Sequence, residues 1–180
     1  MSEALETLLL ERSVTHGDFT LASGQRSSYY IDCRLTTMSA AGQALIGILG
    51  LAAIRAEGWS PDAVGGLTMG ADPVAYAIAH ASAAHGPVID AFSVRKEAKG
   101  HGTRRQIEGN FQPGHRVVVV EDVITSGTSA LRAVHAIRDA GGEVLGVLAV
   151  VDREQGGREV IEAEDCAVVA LTTSTRLNLK

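Results

Sequence analysis

The chain has 180 residues, 46% of them hydrophobic and only 4% aromatic, with 20 glycines, two cysteines and a net charge of −5. That length suits one domain with a sizeable core, and the acidic balance argues against general nucleic-acid binding, which needs a basic face. Cys33 and Cys166 form neither a CxxC pair nor a disulfide framework, so a reducing, cytoplasmic setting is expected. The N-terminus is acidic and has no secretory signal pattern, and the longest apolar run, Ala44 to Ile54, is too short to span a bilayer.

In chain order, Ser2 to Arg12 reads as an amphipathic helix. Two short strands follow, around Asp18 to Leu21 and Ser28 to Asp32, with Ser23–Gly24 between them. Ser39 to Glu57 is a long second helix. An alternating series comes next: strand Ala63 to Leu67, helix Asp72 to Ala84, strands Val88 to Val94 and Arg116 to Val120, and helix Ser129 to Ala140. It ends with strand Val144 to Val151, a helix from about Gly157 to Ala163 and strand Ala167 to Leu171. Continuous apolar strands alternating with helices predict an α/β fold, a mostly parallel central sheet covered on both faces. Residues 1–36 break that rhythm and are expected to form a small hood. Residues 96–115 show neither period, which in a compact domain marks a long flexible loop or lid.

The segment RVVVVEDVITSGTSA, Arg116 to Ala130, holds the densest chemistry. It reads as a strand to Val120, an acidic pair (Glu121, Asp122), a turn of small and hydroxyl residues, then a helix. Open α/β sheets bind ligands at the carboxyl ends of their strands, and a helix start offers unpaired N–H groups to phosphate. Carboxylates beside such a cradle repel phosphate unless they face sugar hydroxyls or a cation. A phosphorylated sugar satisfies both parts. An ordinary βα turn is the simpler account, but a cap needs one such residue and this stretch supplies seven.

The lid sequence RKEAKGHGTRR, Arg95 to Arg105, sums to +4, which leaves −9 for the rest of the chain. A glycine-punctuated cationic loop suits a polyanion that must be covered and released, such as pyrophosphate. Displacing pyrophosphate from a sugar carbon needs charge stabilisation and water exclusion more than a covalent nucleophile. The chain offers no nucleophile–His–Asp set, no G-x-x-x-x-G-K-[ST] and no G-x-G-x-x-G. Its histidines are not spaced as metal ligands, so a hard cation is expected to arrive on pyrophosphate oxygens.

With those residues in view, VVVVEDVITSGTS resembles the phosphoribosyl-pyrophosphate (PRPP) motif of type I phosphoribosyltransferases. FTLASGQRSSYYID (Phe19 to Asp32), SVRKEAKGHG (Ser93 to Gly102) and VVDREQGG (Val150 to Gly157) resemble the orotate branch of that family. The resemblance implies transfer of phosphoribose from PRPP to orotate with Mg²⁺, giving orotidine 5′-monophosphate and pyrophosphate in pyrimidine synthesis. By position, Glu121 and Asp122 would meet the ribose 2′- and 3′-hydroxyls. The turn Thr125, Ser126, Gly127, Thr128, Ser129 would hold the 5′-phosphate, with Val123 and Ile124 also in the PRPP-binding set. Arg95, Lys96, Lys99 and His101 would surround pyrophosphate, with Lys99, His101 and Asp122 the catalytic set.

Arg153 would pair with the orotate carboxylate, and Thr125 with the backbone around Tyr30 and Ile31 would complete the base pocket. The family's lid closes over the neighbouring subunit's site, which implies a homodimer. The chain departs at Ala22 and Met69, where some members carry Lys; fewer fixed cations shift the burden to Mg²⁺, the lid and backbone donors. Another type I phosphoribosyltransferase, for uracil or a purine, and a non-catalytic PRPP-binding regulator are the competing readings.

Overall fold

A computed structural model describes residues 2–20, 26–97 and 106–179. The elements are α1 (Ser2–Arg12), β1 (Val14–Thr20), β2 (Arg26–Ile31), α2 (Arg34–Thr37), α3 (Ala40–Ala56), β3 (Ala63–Leu67) and α4 (Ala71–His85). They continue with β4 (Asp90–Val94), β5 (Ile107–Gly109), β6 (Arg116–Ile124), α5 (Thr128–Asp139), β7 (Glu143–Asp152), α6 (Gly157–Glu162) and β8 (Val168–Thr173).

Six strands form one sheet in the order β5-β4-β3-β6-β7-β8. Only the β4–β5 pairing is antiparallel. The expected α/β architecture is therefore present. Strand β6 shows why both faces are covered: side chains alternate sides along a strand. Val118 and Val120 pack with Ile46, Ile54 and Ile78 of α3 and α4. Val117 and Val119 pack with Ala133, Val134 and Ile137 of α5 and with Ile161 of α6. A strand buried on both sides reads as an unbroken apolar run, and VVVV is that run.

The chain passes from β3 through α4 to β4 on one side, and from β6 through α5 to β7 on the other. Strand order thus reverses between β3 and β6. The crevice beyond their carboxyl ends is where open α/β sheets take ligands.

Helix α3 starts cleanly because the Ser39 hydroxyl accepts a hydrogen bond from the Gly42 N–H at 3.0 Å. The antiparallel β1–β2 hairpin and α1 lie at the β8 side. Three contacts fasten them there. Thr172 Oγ1 donates to Glu6 (2.9 Å), Arg176 Nε pairs with Glu6 (2.8 Å), and the Tyr29 hydroxyl meets Ser174 Oγ (3.2 Å).

Three expectations about the elements need correction. Strand β6 does not stop at Val120 but runs to Ile124, because β7 continues to pair with it as far as Ile124↔Asp152. The acidic pair therefore lies inside the strand. The span 96–115 is not without regular structure: Ile107–Gly109 adds to β4 as an edge strand. Strand β1 begins four residues earlier than its composition suggested, its largely exposed residues being carried by pairing with β2.

Candidate active site

The turn after β6 is built around Gly127, which takes φ +78° and begins α5. A left-handed residue at this point costs glycine little and any other residue more. Space is short as well, since a Cβ on Gly127 would lie 2.7 Å from the Gly157 carbonyl oxygen. The result is a hollow of about 110 Å³ lined by Glu121 and by residues 123–130. Ser126 and Thr128 hydroxyls meet across it at 3.0 Å. Unpaired N–H groups of the first turn of α5 face an anion-sized space. The structure thus brings Glu121, Val123, Ile124, Thr125, Ser126, Gly127, Thr128 and Ser129 together.

Asp122 stands beside the hollow and not in its lining. Its Oδ1 accepts from the Val123 N–H at 2.9 Å, and the carboxylate lies against Gly70 in the turn after β3, where a Cβ would come within 2.6 Å of it. The β3 and β6 ends therefore meet at this acid. The β3 turn is itself held by Asp72, whose two oxygens accept from the Thr68 hydroxyl (2.5 Å) and the Ser93 hydroxyl (2.7 Å).

Glu121 is only 5% exposed, and its Oε2 has no hydrogen-bond partner. Burial first, and then the neighbouring Asp122 charge, push its carboxyl well above the ordinary value.

Arg153 follows β7 directly. Its backbone N–H donates to the Ile124 carbonyl at 2.9 Å, which sets it across from Thr125 and beside the phosphate turn. The side chain is 6% exposed and its Nε has no partner. It looks into a second cleft of about 350 Å³, lined also by Ser27, Tyr29, Ser174 and Thr175. Among the described residues no carboxylate lies within ion-pair distance of it. The adjacent Asp152 is engaged elsewhere, with Oδ2 on Arg158 Nε (2.9 Å) and Oδ1 on the Glu154 N–H (2.8 Å). Ion pairs of this kind usually satisfy a buried arginine. Arg153 is instead left with its charge unspent.

Tyr30 and Ile31 are not among the residues that line this cleft. Their backbone is used in the hairpin, paired with Thr15 and Val14. The Tyr30 ring is exposed against Phe19 at 5.8 Å, and Ile31 is buried in the core. Tyr29 and Ser27 face the cleft in their place. Simple alternation along β2 could have found them, since Ser27, Tyr29 and Ile31 fall on one face and Tyr30 on the other.

Arg95 and Lys96 stand at the end of β4, outside the lining of the phosphate hollow. Arg95 Nε pairs with Glu108 at 3.0 Å, and the Lys96 carbonyl accepts from Arg132 on α5 at 2.6 Å. Lys99, His101 and Ala22 lie outside the described residues. Among the described residues no group of three or more His, Cys, Asp or Glu side chains could hold a metal ion.

Comparison with known proteins bears directly on this geometry. A model of the phosphoribosyl transferase domain matches residues 36–171. The orotate phosphoribosyltransferase of Aquifex aeolicus is 51% identical over 172 residues, which cover 94% of this chain and 93% of the relative. That of Mycobacterium tuberculosis (strain H37Rv) is 54% identical over 160 residues, covering 89% and 87%. A crystal structure of the M. tuberculosis H37Rv orotate phosphoribosyltransferase in complex with PRPP superposes with a TM-score of 0.84 at 46% identity, covering 99% of this chain and 98% of that one. Half-identical relatives matched nearly end to end, over a phosphate turn and a crevice of the right topology, establish that the chain belongs to the orotate phosphoribosyltransferase family.

Proposed function

We propose that the chain transfers the 5-phosphoribosyl group of PRPP to orotate, giving orotidine 5′-monophosphate and pyrophosphate in pyrimidine synthesis. The observation that carries this reading is Arg153: a buried cation with no carboxylate partner among the described residues, next to the turn after β6, rewards a base that bears a carboxylate. Uracil and the purines offer it none.

The turn Thr125–Ser129 holds the 5′-phosphate through backbone N–H groups and hydroxyls, and Glu121 and Asp122 take the ribose hydroxyls. In the reaction the bond from ribose C1 to pyrophosphate oxygen breaks, the pair of electrons leaves with pyrophosphate, and orotate N1 bonds to C1 as its N1–H proton is released to water. Positive charge develops on the ribose, so acids on that side stabilise the transition state. Lys99 and His101, with Arg95 and Lys96, take the charge building on the leaving group, the segment from Lys96 to the start of β5 serving as the lid. Arg95 reaches pyrophosphate by exchanging its Glu108 partner for it.

Mg²⁺, when bound, neutralises pyrophosphate oxygens. The chain fits a cation delivered in that way, with the half-exposed Asp122 at the junction of the β3 and β6 turns as the nearest carboxylate.

A homodimer with the lid shared between subunits accords with an exposed apolar face. Leu35 (57% exposed), Met38 (51%) and Met69 (57%) surround an open cleft of about 520 Å³ with Arg12, Asp32, Arg34 and Ser39. Met69 precedes Gly70, so this face borders the active-site crevice. A cytoplasmic setting accords with two free, buried cysteines, and no helix of the described residues is long and apolar enough to cross a membrane.

The test is an absorbance assay of purified protein. Orotate should be consumed only when PRPP and Mg²⁺ are both present. Turnover of uracil or a purine in place of orotate would overturn the reading, and so would PRPP binding without turnover of any base.

A further inference from the structure

We propose that Tyr29 is the positioning residue of the base subsite: its ring is the platform that keeps the Arg153 guanidinium oriented and buried with no carboxylate partner among the described residues. The inference rests on the orotate reading above and goes beyond it by assigning how the carboxylate-binding charge is maintained.

A buried guanidinium needs support, and proteins usually provide an acid. An acid here would defeat the purpose, because it would cancel the charge that the substrate carboxylate is to meet. The two acids nearest in sequence are turned to other tasks. Asp152 takes Arg158 and the Glu154 N–H, and the Glu154 carboxylate accepts from the Thr175 N–H at 2.7 Å. What lies against Arg153 is the face of Tyr29, with the guanidinium carbon 4.8 Å from the ring centroid. An aromatic face attracts a cation through its quadrupole and carries no net charge. It therefore holds the guanidinium without neutralising it.

The ring is itself fixed. Tyr29 is buried, its hydroxyl meets Ser174 Oγ at 3.2 Å, and Ser27 Oγ donates to its carbonyl at 2.7 Å. Ser27 Oγ also lies 3.5 Å from Arg153 Nη2, so β2 supplies both groups that face the side chain. The hairpin therefore supplies the support that makes Arg153 selective for an anion.

The experiment compares the wild-type full-length chain with Tyr29→Phe and Tyr29→Leu. It measures KM for orotate, KM for PRPP, and inhibition by the neutral 6-carboxamide of uracil, which has orotate's shape without its charge. Loss of the π face in Tyr29→Leu should raise the orotate KM by about three- to thirtyfold. The PRPP KM and the carboxamide inhibition constant should stay within about twofold, and Tyr29→Phe, which keeps the π face and loses only the Ser174 contact, should raise the orotate KM less than Tyr29→Leu does. Should leucine unfold the hairpin, Tyr29→Met keeps bulk without an aromatic face and gives the same readout. Equal weakening of carboxylate and carboxamide, or a Leu or Met variant like wild type, overturns the role of Tyr29 alone. A wild-type chain that fails to turn over orotate overturns the functional reading, and this inference with it.

Discussion

Arg153 and Glu121 are both buried charges, yet they do opposite work. The Arg153 guanidinium lies over the Tyr29 ring, whereas burial and then Asp122 push the Glu121 carboxyl well above its ordinary value. Removing the guanidinium should therefore act on one substrate only. Arg153→Ala is expected to raise the orotate KM by about a hundredfold, the scale of a buried charged hydrogen-bonded pair, with little change in the PRPP KM. Steady-state kinetics with each substrate varied in turn checks it.

Glu121 makes a prediction about pH. Its raised value means that the folded chain keeps a proton that the unfolded chain releases, so stability falls as pH climbs from the ordinary glutamate range towards the folded value. Glu121→Gln removes that slope. Thermal melts from about pH 4 to about pH 8 should show the two proteins alike at the acid end and the variant the more stable at the alkaline end. Activity of the variant should fall, since an amide cannot take the ionised form. Arg153 was legible from its place in VVDREQGG, whereas the shared face of Ser27 and Tyr29 on β2 follows only from the alternation of side chains along a strand.

Elements defined by hydrophobic period were easy to read, and those defined by pairing were not. Helices α3, α4 and α5 and strands β3 and β7 lie where their apolar patterns put them, to within a residue or two. Strand β6 was cut short at its first charge, although β7 carries the pairing on through Glu121 and Asp122. β5 has only three residues, too few to show a period, and exists because β4 offers an edge. The junction of β6 and α5 was legible for a different reason, its density of small residues.

Gly127 gives that junction its shape, so Gly127→Ala tests it. The left-handed backbone and the nearby Gly157 carbonyl together should cost about 2 kcal/mol. For a chain of this size that is a Tm lower by about 4–8 °C. The PRPP KM should rise with it while the orotate KM changes less, which separates a distorted phosphate turn from general loosening.

At the scale of the molecule, alternation of apolar strands and helices was enough to predict a parallel sheet covered on both faces, because only that arrangement buries continuous hydrophobic strands. The proposed subunit association has a fainter trace in the sequence. Leu35, Met38 and Met69 are far apart in sequence and become one apolar face only after folding. Met38→Asp should turn a dimer into a monomer in light-scattering chromatography and lower activity in parallel, because a shared lid is useless to a lone subunit. Mixing is a sharper test. Lys99→Ala and Arg153→Ala chains, each nearly inactive, should recover about a quarter of wild-type activity when hybrid dimers form, one sound lid then covering one sound site. No recovery would place each lid over its own site.

The grip of Arg158 on Asp152 has a consequence for how such a chain can drift. That ion pair occupies the carboxylate next to Arg153 in sequence and, on the orotate reading, keeps a resident anion away from a cation meant for a visitor. Neutral change at position 158 would leave the scaffold standing while it let the protein become its own competitor. Choice of base is thus guarded partly from outside the chamber where the base sits.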